Sequence, residues 1–591
     1  MYLNCKTFFS FRYGTYSAKE LVQAASEQGI TALALTNINN TCDVWDFVKA
    51  CQEYHIKPIV GVEIRNGDDL LYILLAANNK GLQWINWFLS VHLREGKGFP
   101  ASQDEYEGGF FYDSGDGFVV YPWGKKMLGR LRDNEYIGVR PYQINKLFGL
   151  DRQSEPSRLV ILHSASFQDR ARYEIHCLLR CIDKNVLFSK LSQEACGSVY
   201  EHFVAPIRLL NKFKDFPFIV TNTYRLIDAC EISMQFGTDK NKKSYSANKK
   251  DDVLLLRKLA YDGLQRRYRP DDEVAAQRLE KELQIIEKLG FNSYFLIAWD
   301  LIRYARSRGF YYVGRGSGAN SIVAYCLNIT DVDPIELDLY FERFLNPNRT
   351  SPPDFDIDFS WLDRDEAIDY VFKRYGSGHV ALLGMYSTFQ YNAIVREFGK
   401  VYGLPKAEID ALGEKGYYYG QGRGGNFQKR IEEEEDSIHQ KILRYGKLID
   451  NFPNYLSIHP GGMLISEEPI YSYTATFMPP KNFATAQIDM FIAEDVGLNK
   501  IDILSQRGLG HIREAIRLVK ENKQVEVRID DVERFKKDLR VKDLIKNGIP
   551  LDVFISSRPL CANCWPNCAV RIISRWWPPV PLSVPAWRAA A

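Results

Sequence analysis

The sequence lacks long apolar runs and an excess of charge of one sign. Because no stretch of about 18 apolar residues occurs, no segment is expected to span a membrane. The opening residues, Met1–Lys6, do not have the pattern of a signal peptide. Lysine and arginine number 76 against 74 acidic residues, so the net charge is only +2. The eleven irregularly spaced cysteines argue against a disulfide framework and indicate a reducing, cytoplasmic environment.

What the sequence contains is typical of a large globular protein. Hydrophobic residues make up 46% and charged residues 25%, which are ordinary values for a folded chain. A length of 591 residues predicts several domains rather than one. There is no internal repeat, so a solenoid or propeller is not expected.

The most informative stretch is Pro353–Phe359, which alternates with the period of a strand. Asp354, Asp356 and Asp358 fall on one face, and the apolar residues between them can enter a core. Three carboxylates in a row repel one another, and a bound divalent cation would offset that repulsion. Two ions held by shared carboxylates carry out phosphoryl or nucleotidyl transfer. The alternative is a solvated edge strand.

A glycine-rich turn, Gly314–Ser321, precedes the aspartates. It follows a strand-like run, Phe310–Val313, and leads into a helix start at Ile322–Leu327. Such turns offer backbone N–H groups to phosphate, and Arg315 adds a guanidinium. It is not a Walker loop, since no Gly-Lys-Ser/Thr follows. Arg343 supplies a second guanidinium, for phosphate or for a structural ion pair.

These segments, taken in order, resemble the palm of bacterial DNA polymerase III alpha subunits, the C-family DNA polymerases. The resemblance covers roughly residues 1–548 and is most specific from about 290 to 510. It implies a multidomain α/β fold, in which a barrel-like domain precedes a polymerase-beta-like nucleotidyltransferase palm with an inserted helical thumb. The motifs that carry it are Tyr294–Ile297, Gly314–Gly318, Phe341–Pro347, Pro353–Phe359, His459–Gly462 and Asn499–Leu504.

The resemblance also implies roles for individual residues. The activity is template-directed nucleotidyl transfer from a dNTP to a primer 3′-hydroxyl, with release of pyrophosphate, at two Mg²⁺ ions. The partners are primer–template DNA, dNTPs and, in full-length members, a sliding clamp and other replisome subunits. Asp358 lies in the motif but is not counted among the metal ligands. The implied catalytic and metal-binding residues are Asp354, Asp356 and Asp502, and the implied nucleotide-binding residues are Arg315, Gly316, Ser317, Arg343 and Lys500.

A DNA channel would have to come from local basic patches, because the net charge is so small. Two candidates are Gly263–Arg269 and Arg423–Arg430, of which the second combines arginines, glycines and an aromatic residue. Arg396 and Lys400 in the thumb, with His459 near the palm, are further candidates for DNA contacts. All of these are equally compatible with solvated surface, and His459 with a core histidine.

The first residues alternate helix-like and strand-like segments. Ser17–Gln28 predicts an amphipathic helix, and Thr31–Thr36 and Lys57–Ile64 predict buried strands, which is a βα rhythm. This region resembles the polymerase-and-histidinol-phosphatase (PHP) domain, a metal-dependent phosphoesterase barrel.

The expected metal ligands of that domain are largely absent. Asn4-Cys5-Lys6 stands where the family has His-x-His, Asn37 stands where it has an aspartate, and only Glu63 is retained. A lysine at a ligand position repels a cation. We therefore predict a structural domain with no zinc or other catalytic metal and no proofreading activity.

The last 43 residues differ abruptly in composition, being rich in tryptophan and proline with a single acid. A zinc site at Cys561, Cys564 and Cys568 is a weak alternative, because no fourth ligand is near. The sequence instead suggests a shifted reading frame after about residue 548, and a chain truncated before the fingers. The expected division is 1–225 PHP-like, 226–385 palm, 386–458 thumb, 459–512 palm, 513–548 start of the fingers and 549–591 aberrant tail.

Fingers close over the nucleotide, so a palm without them should lose most of its rate. We therefore expect low polymerase activity from the chain itself. Two other classes remain open, a non-catalytic DNA-binding remnant and a phosphoesterase acting through the N-terminal domain.

Overall fold

A computed structural model describes residues 1–102, 115–148, 158–346, 355–414 and 437–529, with isolated positions between 534 and 543. These residues form two mixed α/β units, each built on one sheet. The basic segment Arg423–Arg430, Asp354 and the tail from residue 549 lie outside the described residues. No helix in the described part is long and apolar enough to cross a bilayer.

The first unit is a curled eight-stranded sheet with helices packed around it. The strand order is β7-β6-β5-β4-β3-β2-β1-β8, with β1, β2 and β3 parallel. Its strands are β1 (Tyr2–Cys5), β2 (Ala32–Ile38), β3 (Lys57–Asn66), β4 (Asp69–Ala76), β5 (Gly117–Pro122), β6 (Glu135–Val139), β7 (Leu159–Ile161) and β8 (Ser164–Ala165). Its helices are α1 (Ala18–Glu27), α2 (Val44–Glu53), α3 (Asn79–Glu95), α4 (Arg170–Lys184), α5 (Pro206–Lys212) and α6 (Pro217–Ala229).

Local sequence signals explain the start of this unit. Ser17 accepts a hydrogen bond from the Glu20 backbone and Glu20 accepts one from the Ser17 backbone, so a capping box begins α1. Leu21, Val22 and Ala25 on one face of the helix are buried. The predicted helix and the two predicted strands of this region are confirmed, with ends shifted by at most two residues.

The second unit is a seven-stranded sheet in the order β13-β14-β11-β12-β15-β10-β9. Its strands are β9 (Tyr312–Arg315), β10 (Asp356–Ser360), β11 (Val380–Thr388), β12 (Pro453–Ile465), β13 (Thr476–Phe477), β14 (Thr485–Ala486) and β15 (Ile501–Gln506). Its helices are α7 (Lys249–Arg267), α8 (Glu273–Leu289), α9 (Asn292–Ser307), α10 (Ile322–Cys326), α11 (Arg364–Tyr375), α12 (Tyr391–Tyr402), α13 (Lys406–Glu414), α14 (Ser437–Leu448), α15 (Met490–Val496) and α16 (Arg507–Lys523).

The chain is helical from Glu273 to Ser307 apart from a break at Gly290 and Phe291. Gly290 ends α8 with a φ of +75°, and α9 begins two residues later. The strand after α9 starts later than predicted. The Phe310 N–H donates to the Ala305 carbonyl and so caps α9, which leaves Tyr312 as the first strand residue. Arg315 therefore lies within β9.

The two units share an apolar contact centred on Trp45 of α2. Trp45 packs with Ala381, Leu464 and Ile488 of the second unit, and its indole N–H donates to the Tyr473 carbonyl at 2.8 Å. A second cluster joins α4 to α12, α13 and α14. The first unit thus supports both the second sheet and the helices that lie between β11 and β12.

Candidate active site

The aspartates of the alternating motif meet the predicted third aspartate on adjacent strands. Asp356 of β10 pairs in parallel register with Asp502 of β15 and in antiparallel register with Arg315 of β9. Asp502 in turn pairs with Gly462 of β12. Paired residues project to the same face of a sheet, so these four positions form one row across it. Asp354 lies outside the described residues.

Basic side chains bind the carboxylates of this row. Arg315 donates from Nε to Asp358 Oδ2 at 2.8 Å and from a terminal nitrogen to Asp356 Oδ2 at 3.3 Å. The Lys500 ammonium pairs with Asp502 Oδ2. The Gln506 amide donates to Asp358 Oδ2 at 3.2 Å. Two of the predicted nucleotide-binding residues, Arg315 and Lys500, therefore lie directly beside the aspartates.

Two carboxylate oxygens in this site are buried without a hydrogen-bond partner among the described residues. They are Asp502 Oδ1 and Asp358 Oδ1. Asp502 is 7% exposed and Asp358 is 4% exposed. Burial raises the pKa of Asp358, although Arg315 and Gln506 act in the opposite direction. An unpaired buried oxygen is costly, and a hard cation would satisfy it. The donor set of Asp356 and Asp502 therefore fits a divalent cation.

The glycine-rich turn lies against the same carboxylates. Gly316 has a φ of +77°, and a Cβ built there would lie 2.9 Å from Asp356 Oδ2. Residues Gly316–Asn320, which include Ser317, form a 3₁₀ turn, and the Ser321 hydroxyl caps α10 by accepting the Ala324 N–H. Helix α10 has only five residues, so phosphate binding here would depend on the backbone N–H groups more than on a helix dipole.

His459 lies in β12 beside the aspartates. Its Nδ1 accepts backbone N–H groups from Gly462 at 2.8 Å and Gly461 at 3.3 Å, and lies 4.0 Å from Asp502 Oδ1. Because Nδ1 is an acceptor, the proton of the neutral ring is on Nε2. Burial lowers the pKa of His459, so the neutral ring dominates at pH 7.

The other residues predicted to contact the nucleotide or the DNA lie on other elements of the fold. Arg343 is exposed in the 3₁₀ turn Phe341–Arg343. Arg396 and Lys400 are exposed on α12, where the Lys400 ammonium pairs with Glu397 at 2.6 Å.

Two positioning residues were missed by sequence reasoning. The Tyr294 hydroxyl accepts the Phe355 N–H at 3.3 Å and lies 3.5 Å from the Lys500 carbonyl. Arg364, at the start of α11, donates to the Ile503 carbonyl at 2.8 Å and to the Pro460 carbonyl at 2.7 Å. Tyr294 belongs to a recognised motif, whereas nothing in the sequence marks Arg364 as buried.

The residues that depart from the PHP pattern are all buried in the first unit. Asn4 of β1 and Lys6, which follows β1, contact Glu63 of β3, and Asn37 of β2 donates to Asp43 at 2.6 Å. No group of three or more histidine, cysteine, aspartate or glutamate side chains arranged to hold a metal occurs in the described part of the chain. These residues do not fit a metal centre, because an ammonium and two amides stand at the expected ligand positions and Glu63 is the one retained carboxylate.

Comparison with protein-family models finds two matches. Residues 3–183 match the PHP domain, and residues 254–505 match the bacterial DNA polymerase III alpha NTPase domain. The second match contains Asp356, Asp502, the glycine-rich turn and Arg364.

Curated relatives match along most of the chain. An error-prone DNA polymerase from Symbiobacterium thermophilum is 30% identical over 566 residues, covering 88% of this chain and 52% of the relative. DNA polymerase III subunit alpha from Halalkalibacterium halodurans is 31% identical over 543 residues, covering 85% and 48%. The Bacillus subtilis subunit is 27% identical over 577 residues, covering 90% and 50%. The chain spans about half the length of the curated relatives it matches, and along that part it is similar to bacterial DNA polymerase III alpha subunits and error-prone DNA polymerases.

Proposed function

We propose that the chain takes part in template-directed DNA synthesis, by nucleotidyl transfer from a dNTP to a primer 3′-hydroxyl with release of pyrophosphate. The observation that carries the proposal is the register pairing of Asp356 with Asp502, whose Oδ1 is buried and has no hydrogen-bond partner among the described residues. Similarity to the matched relatives supports the same reaction, since they are named DNA polymerases.

The carboxylates of Asp356 and Asp502, together with that of Asp354, would hold two magnesium ions. Such ions activate the attacking hydroxyl and neutralise charge on the leaving pyrophosphate. In this structure Arg315 and Lys500 neutralise the carboxylates. Both side chains are long enough to contact the triphosphate of a dNTP bound at the site. Gly316 and Ser317 would offer backbone and hydroxyl donors to the phosphates, and Arg343 a further guanidinium. Arg364 and Tyr294 hold the strands that carry the ligands.

The finer architecture belongs to the same proposal. We take the second sheet as a polymerase-beta-like palm and the helices α12, α13 and α14, inserted between β11 and β12, as the thumb. Arg396 and Lys400 on α12 would contact the DNA backbone, as basic residues on such a helix can. The eight described cysteines are all free, which supports a cytoplasmic location. A sliding clamp and other replisome subunits are the partners that the family suggests.

The test is primer extension by the whole chain with Mg²⁺, beside DNA binding measured by fluorescence anisotropy. Asp356→Asn and Asp502→Asn should abolish extension and leave DNA affinity within about twofold, since neither carboxylate is needed for backbone contacts. Asp369→Asn is the matched control, because Asp369 is a half-buried carboxylate on α11 that pairs with Lys373 of the same helix. Extension by both site variants at the wild-type rate would refute the proposal.

The second candidate is a DNA-binding protein without catalysis, since Arg315 and Lys500 pair with the carboxylates that would hold the ions. It predicts DNA binding with no extension by the wild-type chain under any divalent cation. A phosphoesterase of the first unit is disfavoured by the Lys6–Glu63 pair. Hydrolysis of a model phosphodiester, abolished by Glu63→Gln but not by Asp502→Asn, would support it instead.

A further inference from the structure

A lysine is completely buried at the centre of the first unit. Lys6 is 1% exposed, and its ammonium lies 2.8 Å from Glu63 Oε2 and 2.8 Å from Asn4 Oδ1. The Asn4 amide group donates to Glu63 Oε2 at 2.7 Å. The Thr36 hydroxyl donates to Asn4 Oδ1 at 2.9 Å. The ammonium thus binds oxygens of two strands, Asn4 of β1 and Glu63 of β3, while Thr36 of β2 bonds the Asn4 side chain.

A second layer of charge surrounds this ammonium. The Arg65 guanidinium pairs with Glu63 and lies over the Tyr13 ring. Glu201 is also buried, and it accepts the Ser166 hydroxyl at 2.8 Å. The positive charge of Lys6 lowers the pKa of Glu201, although burial acts in the opposite direction. Two buried carboxylates therefore depend on cations from the chain itself.

The family implies a metal ion where this structure has an amine. A divalent cation needs oxygen or imidazole ligands that face it. Here the Asn4 amide presents its oxygen to Lys6 and its nitrogen to Glu63, and the ammonium already contacts both. Like charges so close would repel a second cation strongly.

We propose that the Lys6 ammonium is the resident cation of this pocket, so that a primary ammonium tethered to the chain takes the structural place of a metal ion. It joins β1 to β3 through Glu63 and neutralises a carboxylate that would otherwise be buried beside Arg65 alone. This role is independent of nucleotidyl transfer in the second unit.

Two variants of Lys6 separate the effect of its charge from the effect of its packing. Lys6→Met keeps most of the side-chain volume and removes the ammonium, whereas Lys6→Ala also leaves a cavity. Propylammonium has the length of the atoms removed in Lys6→Ala, from Cγ to Nζ, and carries the same three N–H donors. Tetramethylammonium has the same charge but no N–H group, so it cannot bond Glu63 and Asn4.

The experiment is thermal unfolding of the whole chain and its variants. Both Lys6 variants should lose about 5–10 °C in the Tm of the first unit, because they leave a buried charge without its partner. Propylammonium should restore part of that loss in Lys6→Ala only, and tetramethylammonium should restore none. Lys19→Ala is the matched control, since Lys19 pairs with Glu53 at 3.0 Å but is exposed. It should melt like the wild type.

Two results would overturn the proposal. One is a Lys6→Met variant as stable as the wild type, which would show that the ammonium is dispensable. The other comes from metal analysis. After dialysis, the wild-type chain should retain far less than one equivalent of zinc, whereas a stoichiometric zinc ion lost on Glu63→Gln substitution would show that a metal binds despite Lys6.

Discussion

Replacing Gly316 by alanine tests whether the glycine-rich turn fixes the position of a metal ligand. Gly316 has a φ of +77°, which costs an alanine about 1–2 kcal/mol relative to glycine. Its Cβ would also lie 2.9 Å from Asp356 Oδ2, closer than a methyl group and an oxygen normally approach. That same oxygen contacts Arg315 at 3.3 Å. The Asp356 carboxylate must therefore rotate or shift, and its contact with Arg315 restricts that movement.

Gly309 provides the matched control. It has a φ of +69° and nothing within 4 Å of a built Cβ, so Gly309→Ala carries the backbone cost without the contact. Both variants should lose a similar 1–2 kcal/mol in denaturant unfolding, a cost of about that size for a left-handed alanine. Only Gly316→Ala should weaken divalent-cation binding, by about tenfold or more, because a ligand displaced by a fraction of an ångström binds poorly.

Binding of Mn²⁺, followed by electron paramagnetic resonance, measures the affinity directly and does not require polymerase activity. Where primer extension is detectable, its half-saturating Mg²⁺ concentration should rise in parallel. Equal cation affinity in Gly316→Ala and Gly309→Ala, at equal stability, would refute the claim that this turn positions Asp356.

Three further outcomes follow from the buried polar groups. Arg364→Met removes hydrogen bonds to the Ile503 and Pro460 carbonyls, and should cost about 3 kcal/mol in denaturant unfolding and weaken Mn²⁺ binding. Burial opposes ionisation of Glu63, but Arg65 and Lys6 lower its pKa to about 2. This lowered pKa therefore contributes about 3 kcal/mol to the free energy of unfolding above pH 4.5, and the contribution is lost as the pH falls toward 2. Glu63→Gln should remove this pH dependence in urea titrations. Burial raises the pKa of Asp43 to about 7, so its contribution is present below pH 4 and lost as the pH rises through 7. Asp43→Asn should flatten that part of the Tm profile.

Several elements could be predicted because their signals are local. The alternation around Asp356 predicted a strand, and β10 covers Asp356–Ser360 with Ile357 and Phe359 buried. The amphipathic pattern of Ser17–Gln28 predicted α1, which begins with a capping box at Ser17. Each signal lies within a few residues of the element that it specifies, so no knowledge of distant contacts was needed.

The site could be predicted only in part. Asp502 was assigned by resemblance, since nothing near Lys500 distinguishes it from an ordinary half-buried strand. Arg364 and Gln506 were missed because an arginine at a helix start and a glutamine at a strand end are commonly exposed. The Lys6 pocket was predicted as a lost metal site, but not as a buried ion pair with its own cation.

The sequence by itself determined the resemblance to the polymerase family, the strand with Asp356 and Asp358, the glycine-rich turn and the loss of PHP ligands, because these depend on residue type and short spacing. Only the tertiary structure decided the rest. The parallel register of Asp356 with Asp502 joins residues almost 150 positions apart, and that register is specified by which faces of β10 and β15 are buried. Likewise, the buried charge of Lys6 is tolerated because β1 and β3 bring the Asn4 and Glu63 oxygens to it.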